Sequence, residues 1–197
     1  MLRSALVLLV TGALAAAAPA AAQDDGDRFY LGAGFGVAEF AGIEDGIAYE
    51  DSPAGPQVFG GFELRDRVAI ELALARLNGI EALDIAGSGV ERLSISGDYT
   101  AVTVRGTFSI ALADVIPRWS KWSVFATAGA YSSEEDRRVF RTVASRTSTA
   151  TVDDDGLALG AGALYALPLV SLRAHLEWHD SRYSDRWGLG VAAQFRF

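Results

Sequence analysis

A histidine and a serine in the arrangement His179-Asp180-Ser181 are the residues of this sequence best placed to do chemistry. A histidine within reach of a serine hydroxyl activates that hydroxyl for attack on an ester, and Glu177 would orient the histidine. The competing interpretation places His179 in a row of polar residues on one face of a strand, because it alternates in step with Arg173. We favour the second interpretation and expect neither catalytic residues nor enzymatic activity.

Three consecutive carboxylates, Asp153, Asp154 and Asp155, are a second candidate, since Ca²⁺ takes oxygen ligands. The run lacks the spaced ligands of a calcium loop. We therefore interpret it as a solvated loop tip and expect no metal site and no cofactor.

The amino terminus has the pattern of a secretory signal peptide. Arg3 is followed by an apolar run over residues 5–18, then by Pro19 and the small residues 20–22. A positive start, a short apolar run and a small-residue end are typical of a cleaved leader; a membrane span would take ~20 apolar residues. We predict a leader over residues 1–22, with an uncleaved anchor as the alternative, and one mature domain over residues 23–197.

The composition excludes several classes of protein. Cysteine is absent, which excludes a disulfide scaffold and thiolate metal sites. The net charge is −8, from 25 acidic and 17 basic residues, and loss of Arg3 makes the mature chain one unit more negative. Nucleic-acid binders need an excess of Lys and Arg, so we expect no nucleic-acid partner. No later apolar run is long enough for a membrane helix, so a membrane would be crossed by strands.

Eight segments of the mature chain alternate apolar with polar or small residues at a period of two, which is typical of strands with two different faces. Each has about ten residues, the length with which a tilted strand crosses the hydrocarbon. They are residues 29–40, 57–65, 68–77, 99–112, 122–131, 157–167, 170–179 and 186–197. Single-chain bacterial barrels have an even strand number, so we predict an all-β fold: an eight-stranded antiparallel up-and-down transmembrane β-barrel.

The connections between these segments alternate in length. Those at residues 66, 113–121 and 168–169 are short, those at 41–56, 78–98 and 132–156 are long, and 180–185 is moderate. Short periplasmic turns and long extracellular loops are typical of outer-membrane barrels, so we place both termini in the periplasm of a bacterium. The longest loop would carry a mixed-charge patch of Glu134, Glu135, Asp136, Arg137, Arg138 and Arg141. Its arginines would either contact lipopolysaccharide phosphates or be solvated like other loop residues.

The polar faces of the segments carry both signs of charge in similar number. A charge facing lipid near the midplane costs about 2–4 kcal/mol, whereas charges inside a barrel pair with one another. An eight-stranded barrel has room only for side chains. We therefore predict a plugged polar lumen built from Glu63, Arg65, Glu71, Arg105, Arg173, His175, Glu177, His179, Gln194 and Arg196. A soluble lipocalin-like barrel, apolar inside and able to bind a small ligand, is the alternative; the long apolar stripes and the tryptophans near strand ends favour a membrane.

Three segments give the chain a resemblance to the small outer-membrane barrel family, which includes OmpA-like transmembrane domains and opacity-type porin-like proteins. They are FYLGAGFG at 29–36, FATAGAY at 125–131 and VAAQFRF at 191–197. The resemblance implies that Phe195 and Phe197 form the signal read by the barrel-assembly machinery. It also implies contacts with outer-membrane lipid and lipopolysaccharide, and a role as anchor, adhesin or narrow channel.

The pair His179 and Ser181 also resembles the site of outer-membrane lipid A deacylases. In that family an Asn follows the Ser, whereas Arg182 stands there in this sequence. Our first hypothesis is therefore a non-enzymatic outer-membrane protein with a structural or surface-interaction role through its long loops. A lipid A-modifying enzyme and the lipocalin-like ligand-binding barrel are the alternatives.

Overall fold

The chain forms a closed antiparallel β-barrel in a computed structural model that describes residues 28–44, 47–85, 92–141, 146–181 and 186–197. The predicted leader, residues 1–22, lies outside the described residues. The strands are β1 (Phe29–Glu44), β2 (Ile47–Asp51), β3 (Ala54–Arg65), β4 (Val68–Ile85), β5 (Arg92–Ala111), β6 (Trp122–Arg141), β7 (Arg146–Ala166), β8 (Ser171–His179) and β9 (Arg186–Arg196). Two short 3-10 helices, Leu112–Asp114 and Pro117–Trp119, lie between β5 and β6.

The nine strands make eight barrel positions, as the sequence predicts. β3 and β2 pair one after the other with the same edge of β1, the first along Phe29–Val37 and the second along Phe40–Glu44. Pro53 separates them, because proline has no N–H to give to the ladder. β1 closes the barrel by pairing with β9 from Tyr30↔Arg196 to Phe40↔Arg186.

The predicted faces are those of the structure. Exposed apolar side chains point outward, among them Phe35, Val104, Leu159, Leu172 and Leu189, while the alternate positions point into the lumen. About ten residues separate Trp187 from Phe197, and at ~3.3 Å each with a ~40° tilt they span roughly 25 Å along the barrel axis. That is the height of the apolar band of an outer-membrane barrel. Because the outer surface is apolar and the lumen polar, the lipocalin-like alternative is wrong.

Four strands run well beyond this band, and here the predicted loops are wrong. Residues 78–85, 92–98, 132–141 and 146–156 belong to β4, β5, β6 and β7, which stay paired up to Ile85↔Arg92 and Arg141↔Arg146. We call these residues the projecting sheet. Its outer face carries Asp98, Asp136, Arg138 and Asp153 as well as the apolar Phe140, so the regular apolar–polar alternation is lost while the strands continue. The predicted long loop at 41–56 likewise contains the end of β1 and all of β2.

A charge on the lipid-facing surface provides a test of the two faces. Val104 is 53 % exposed in the middle of β5, between Leu72 and Ala130 on the neighbouring strands. We expect Val104→Arg to lower the free energy of unfolding by about 2–4 kcal/mol, measured by urea titration in phospholipid. Thr149→Arg, on the outer face of the projecting sheet, is the control and should stay within about 0.5 kcal/mol. Equal losses of unfolding free energy in the two variants would show that Val104 and Thr149 do not differ in their exposure to lipid.

Candidate functional site in the barrel lumen

Glu71 is the centre of the lumen. It points inward from β4 and is 0 % exposed. Its carboxylate accepts hydrogen bonds from Tyr30 Oη at 3.0 Å, Arg105 Nε at 2.7 Å and Arg173 Nη1 at 2.5 Å. The donors stand on β1, β5 and β8, so a single carboxylate connects four strands across the barrel. Hydrogen bonds of this kind, with a charged partner, are roughly twice as strong as neutral ones.

Arg173 fills the lumen beside this carboxylate. Its guanidinium carbon lies 4.5 Å from the ring centre of Phe59 and 4.3 Å from that of Phe125, so the planar cation sits between two aromatic faces. A desolvated cation over an aromatic ring gains about 2 kcal/mol from the ring quadrupole. The two rings therefore stabilise Arg173 where water does not reach it.

A second carboxylate balances the charge. Arg105 Nη1 forms an ion pair with Glu177, whose other oxygen lies 2.7 Å from His179 Nε2. Two arginines thus face two glutamates, and the set carries no net charge. We call Tyr30, Glu71, Arg105, Arg173 and Glu177 the ion-paired layer. Burying its charges is tolerable only because each has a partner.

Glycines on neighbouring strands make room for the lumen rings. A Cβ added to Gly32 would collide with the Phe59 ring, one on Gly61 with the Tyr30 ring, and one on Gly162 with the Phe125 ring. An aromatic ring therefore lies over a glycine on an adjacent strand at three places. These glycines therefore set the positions that the three aromatic rings take beside the ion-paired layer.

A second polar group lies toward the projecting sheet. Arg186 Nη2 lies 3.4 Å from Glu135 Oε2, its guanidinium carbon is 5.1 Å from the Tyr99 ring centre, and Tyr131 Oη donates to Asp154 Oδ2 at 2.8 Å. We call these five residues the mouth cluster. All five are buried.

The mouth cluster corrects two interpretations. Asp154 is a buried acceptor within β7, so the solvated loop tip predicted for residues 153–155 is wrong at its central residue, while Asp153 and Asp155 are exposed. Glu135 faces the lumen, so the mixed-charge patch is part of a strand and not of a loop. The side chains of Arg137 and Arg141 lie outside the described residues.

Two small cavities flank the ion-paired layer. One of about 20 Å³ lies on the side of the chain termini and is lined by Glu63, Thr107 and Gln194 among others. The other, of about 80 Å³, lies toward the projecting sheet and is lined by residues including Gln57, His175 and Arg186. Each has room for no more than one or a few water molecules.

All but one of the remaining residues predicted for the lumen lie along its length. The prediction is wrong for Arg65, because the register shift between Glu63 and Arg65 pairs it with the outward-facing Val68. His175 and Gln194 are buried at the two cavities. Glu63 Oε1 pairs with Arg196 Nη2 at 3.0 Å at the end of the barrel that holds the chain termini, and Arg65 is exposed beside the β3–β4 turn. Phe195 and Phe197 point outward at that end and are half exposed.

His179 packs against other residues of the lumen. Its ring stacks on that of Tyr131 with centres 4.3 Å apart and planes 12° from parallel, and its Nε2 contacts Glu177. Within the described part of the chain, no group of three or more His, Cys, Asp or Glu is placed to hold a metal ion.

Two parts of the site are not predicted in the sequence analysis, namely the aromatic neighbours of Arg173 and the mouth cluster. Tyr30 and Phe125 alternate with the apolar residues of their segments, and Phe59 has the same parity as Gln57 and Glu63, so alternation alone predicts all three in the lumen. The contacts of Phe59 and Phe125 with Arg173 have no local signature, because the three residues stand on β3, β6 and β8. Continuing the period of two beyond Tyr131 would also have placed Glu135 inside.

Comparison with known proteins agrees with this geometry. The family model of the outer membrane protein beta-barrel domain matches residues 6–195. Similar solved structures include Ail of Yersinia pestis (15 % identity, 87 % of this chain, 99 % of that chain, TM-score 0.55) and OprG of Pseudomonas aeruginosa (12 %, 87 %, 96 %, 0.57). Neisserial surface protein A is similar as well (15 %, 86 %, 97 %, 0.56). At these identities the likeness concerns the fold alone. The sequence matches none of the curated proteins.

Proposed function

Because this chain belongs to the outer membrane protein beta-barrel domain family, we propose that it is a non-enzymatic anchor in a bacterial outer membrane, with a closed lumen and an exposed contact surface. The observation that carries this proposal is the ion-paired layer. Its buried carboxylate and two buried guanidinium groups fill the cross-section between two cavities, and they hold the wall from inside. A barrel built this way is a rigid support and not an open pore.

The projecting sheet supplies the contact surface. It continues β4 and β5 beyond the apolar band by seven or eight residues and β6 and β7 by ten or eleven, which is roughly 20–25 Å along the barrel axis. Exposed Asp136, Arg138 and Asp153 give it a mixed-charge outer face, and Thr151 Oγ1 donates to Asp136 Oδ1 at 2.9 Å. A paired sheet holds such side chains in fixed positions. Binding of an extracellular ligand or of lipopolysaccharide therefore costs less conformational entropy here than it would on an unstructured loop.

Lumen conductance tests the closed state. We expect the purified protein to insert into planar bilayers without a steady current, because the ion-paired layer leaves space only for a few water molecules on either side. A heat-modifiable gel shift verifies that the barrel has folded in the same preparation. A large, steady single-channel current from folded protein would contradict the closed lumen.

The orientation is tested with the only lysine of the chain, Lys121, which is exposed in the connection between β5 and β6. In the proposed orientation this end, with both termini, faces the periplasm. A membrane-impermeant amine reagent should therefore leave Lys121 unmodified in intact cells and modify it after permeabilisation, as read by peptide mass spectrometry. Modification of Lys121 in intact cells would show that the barrel has the opposite orientation.

The proposal includes the partners that such a protein needs. In this proposal the barrel-assembly machinery reads Phe195 and Phe197, which face outward at the C-terminal end of the chain, before the β1–β9 seam closes. Outer-membrane lipid covers the apolar band. We do not propose an enzymatic role, because the His179 ring stacks on Tyr131 on the lumen side of the wall, whereas an enzyme that modifies lipid A would need it to reach lipid.

A further inference from the structure

The connection between β5 and β6 ends in the sequence Arg118-Trp119-Ser120-Lys121-Trp122. We propose that Arg118 and Lys121 bind the phosphate group of an anionic phospholipid, with Trp119 and Trp122 fixed at the same membrane interface. This inference rests on the proposed membrane anchor and adds a specific lipid contact to it.

The connection has a defined shape that displays both cations. Ile116 N–H donates to Leu112 O at 2.7 Å, Trp119 N–H to Ile116 O at 2.9 Å, and Ala166 N–H to Lys121 O at 2.8 Å. The last of these bonds ties the connection to β7. Beside it, the rings of Trp122 and Tyr165 lie 4.9 Å apart. Since the backbone is held at these points, binding a phosphate would order little more than the two side chains.

Neighbouring apolar side chains indicate that this end of the barrel lies in a headgroup layer. Val115 is 71 % exposed in the same connection, and Leu169 is 88 % exposed in the adjacent β7–β8 turn. Trp119 and Trp122 are each more than two-fifths exposed. Tryptophans concentrate at membrane–water interfaces, and apolar residues on turn tips gain free energy when the headgroup region covers them.

The charges at this position favour an anionic lipid. The chain as a whole is strongly acidic, yet at this end of the barrel the exposed cations Arg67, Arg118, Lys121 and Arg196 outnumber the exposed carboxylates Asp66 and Asp114. Arg67 is neutralised by Asp114 at 2.8 Å and Arg196 by Glu63 at 3.0 Å. Within the part of the chain that the structure describes, Arg118 and Lys121 make no ion pair. A phosphate between them would supply the missing counter-charge.

The source of the phosphate follows from the orientation of the barrel. In the proposed orientation the connection faces the periplasmic leaflet, which consists of phospholipid, whereas lipid A occupies the opposite leaflet. We therefore assign the site to a phospholipid such as phosphatidylglycerol.

Lipid retention tests the site directly. Full-length protein is placed in nanodiscs that contain equal amounts of phosphatidylglycerol and phosphatidylcholine. The protein is then released from the nanodiscs, and native mass spectrometry counts the lipids of each kind that stay bound to it. We expect phosphatidylglycerol to be enriched. Each cation near an anionic surface contributes about fivefold in affinity, so the double variant Arg118→Gln/Lys121→Gln should lower the enrichment by up to about 25-fold.

The control removes an exposed cation from the opposite end, in Arg76→Gln, and should keep the enrichment of the unmodified protein. The inference is overturned if the double variant retains as much phosphatidylglycerol, if the control loses as much, or if nanodiscs with lipid A show a stronger enrichment that depends on Arg118 and Lys121. Folding and insertion are measured first by gel shift. A protein that does not insert would overturn the membrane anchor as well, whereas an inserted protein without lipid preference would overturn this inference alone.

Discussion

Glu71→Gln is expected to lower the free energy of unfolding by about 3–5 kcal/mol, which is the cost of removing one partner from a buried ion pair. The amide keeps the size of the carboxylate but loses its charge. Its NH₂ group would face the N–H donors of Arg105 and Arg173, which now approach the carboxylate from two strands. Two buried guanidinium groups would then be short of counter-charge, and either they or water must rearrange in the lumen.

Urea titration in phospholipid, followed by the gel shift of the folded barrel, measures this cost. Glu63→Gln is the matched control, because its pair with Arg196 is partly exposed and should contribute no more than about 1 kcal/mol. We also expect Glu71→Gln to give current fluctuations in planar bilayers that the unmodified protein lacks. Equal stability of the two variants would show that the ion-paired layer does not hold the wall together.

Gly34→Ala is expected to destabilise the barrel by about 1–3 kcal/mol and to slow its closure, because overpacking forces the backbone to move. Gly34 faces the lumen from β1 at the seam with β9. A Cβ there would overlap Val191 O and the Cα of Ala192, which are backbone atoms of β9 and cannot turn aside as a side chain would. The seam between first and last strands would have to separate locally.

Gly36→Ala provides the comparison, since it lies two residues further along the same face of β1. The nearest atom to its added Cβ is Leu189 O at 3.6 Å, an ordinary contact. The loss of unfolded-state freedom should make this variant neutral or more stable by up to about 1 kcal/mol. Urea titration and refolding rates into phospholipid decide the matter; equal effects of the two alanines would refute the close approach at Gly34.

Both expectations concern how an eight-stranded barrel keeps its shape when much of its lumen is polar. In the lumen the interactions are polar and long-range in sequence, with Arg173 and Glu71 more than one hundred residues apart along the chain. The fold depends on partners that meet only after the barrel has closed. Removing one of them is therefore more damaging than removing an exposed pair at the rim.

The projecting sheet shows why sequence reading placed the strand ends too early. A period of two is visible in residue types only as a contrast between an apolar and a polar face, and that contrast requires lipid on one side of the wall. Beyond the apolar band both faces meet water or the mouth cluster, so β6 continues through Glu134 and Asp136 with no contrast to detect. The strands persist there because their neighbours supply hydrogen bonds, which a single segment does not reveal.

The sequence by itself determined the all-β class, the eight barrel strands and the faces on which most residues within the apolar band lie. A strand has a period of two, and a wall between lipid and lumen makes that period visible in residue types. Only the tertiary structure decided which lumen residues meet. Nothing local to Arg173 indicates that Phe59 and Phe125 enclose it or that Glu71 receives it, because strand register and barrel closure set those contacts. The buried position of Asp154 was decided in the same way, by the pairing of β6 with β7 that places Tyr131 beside it.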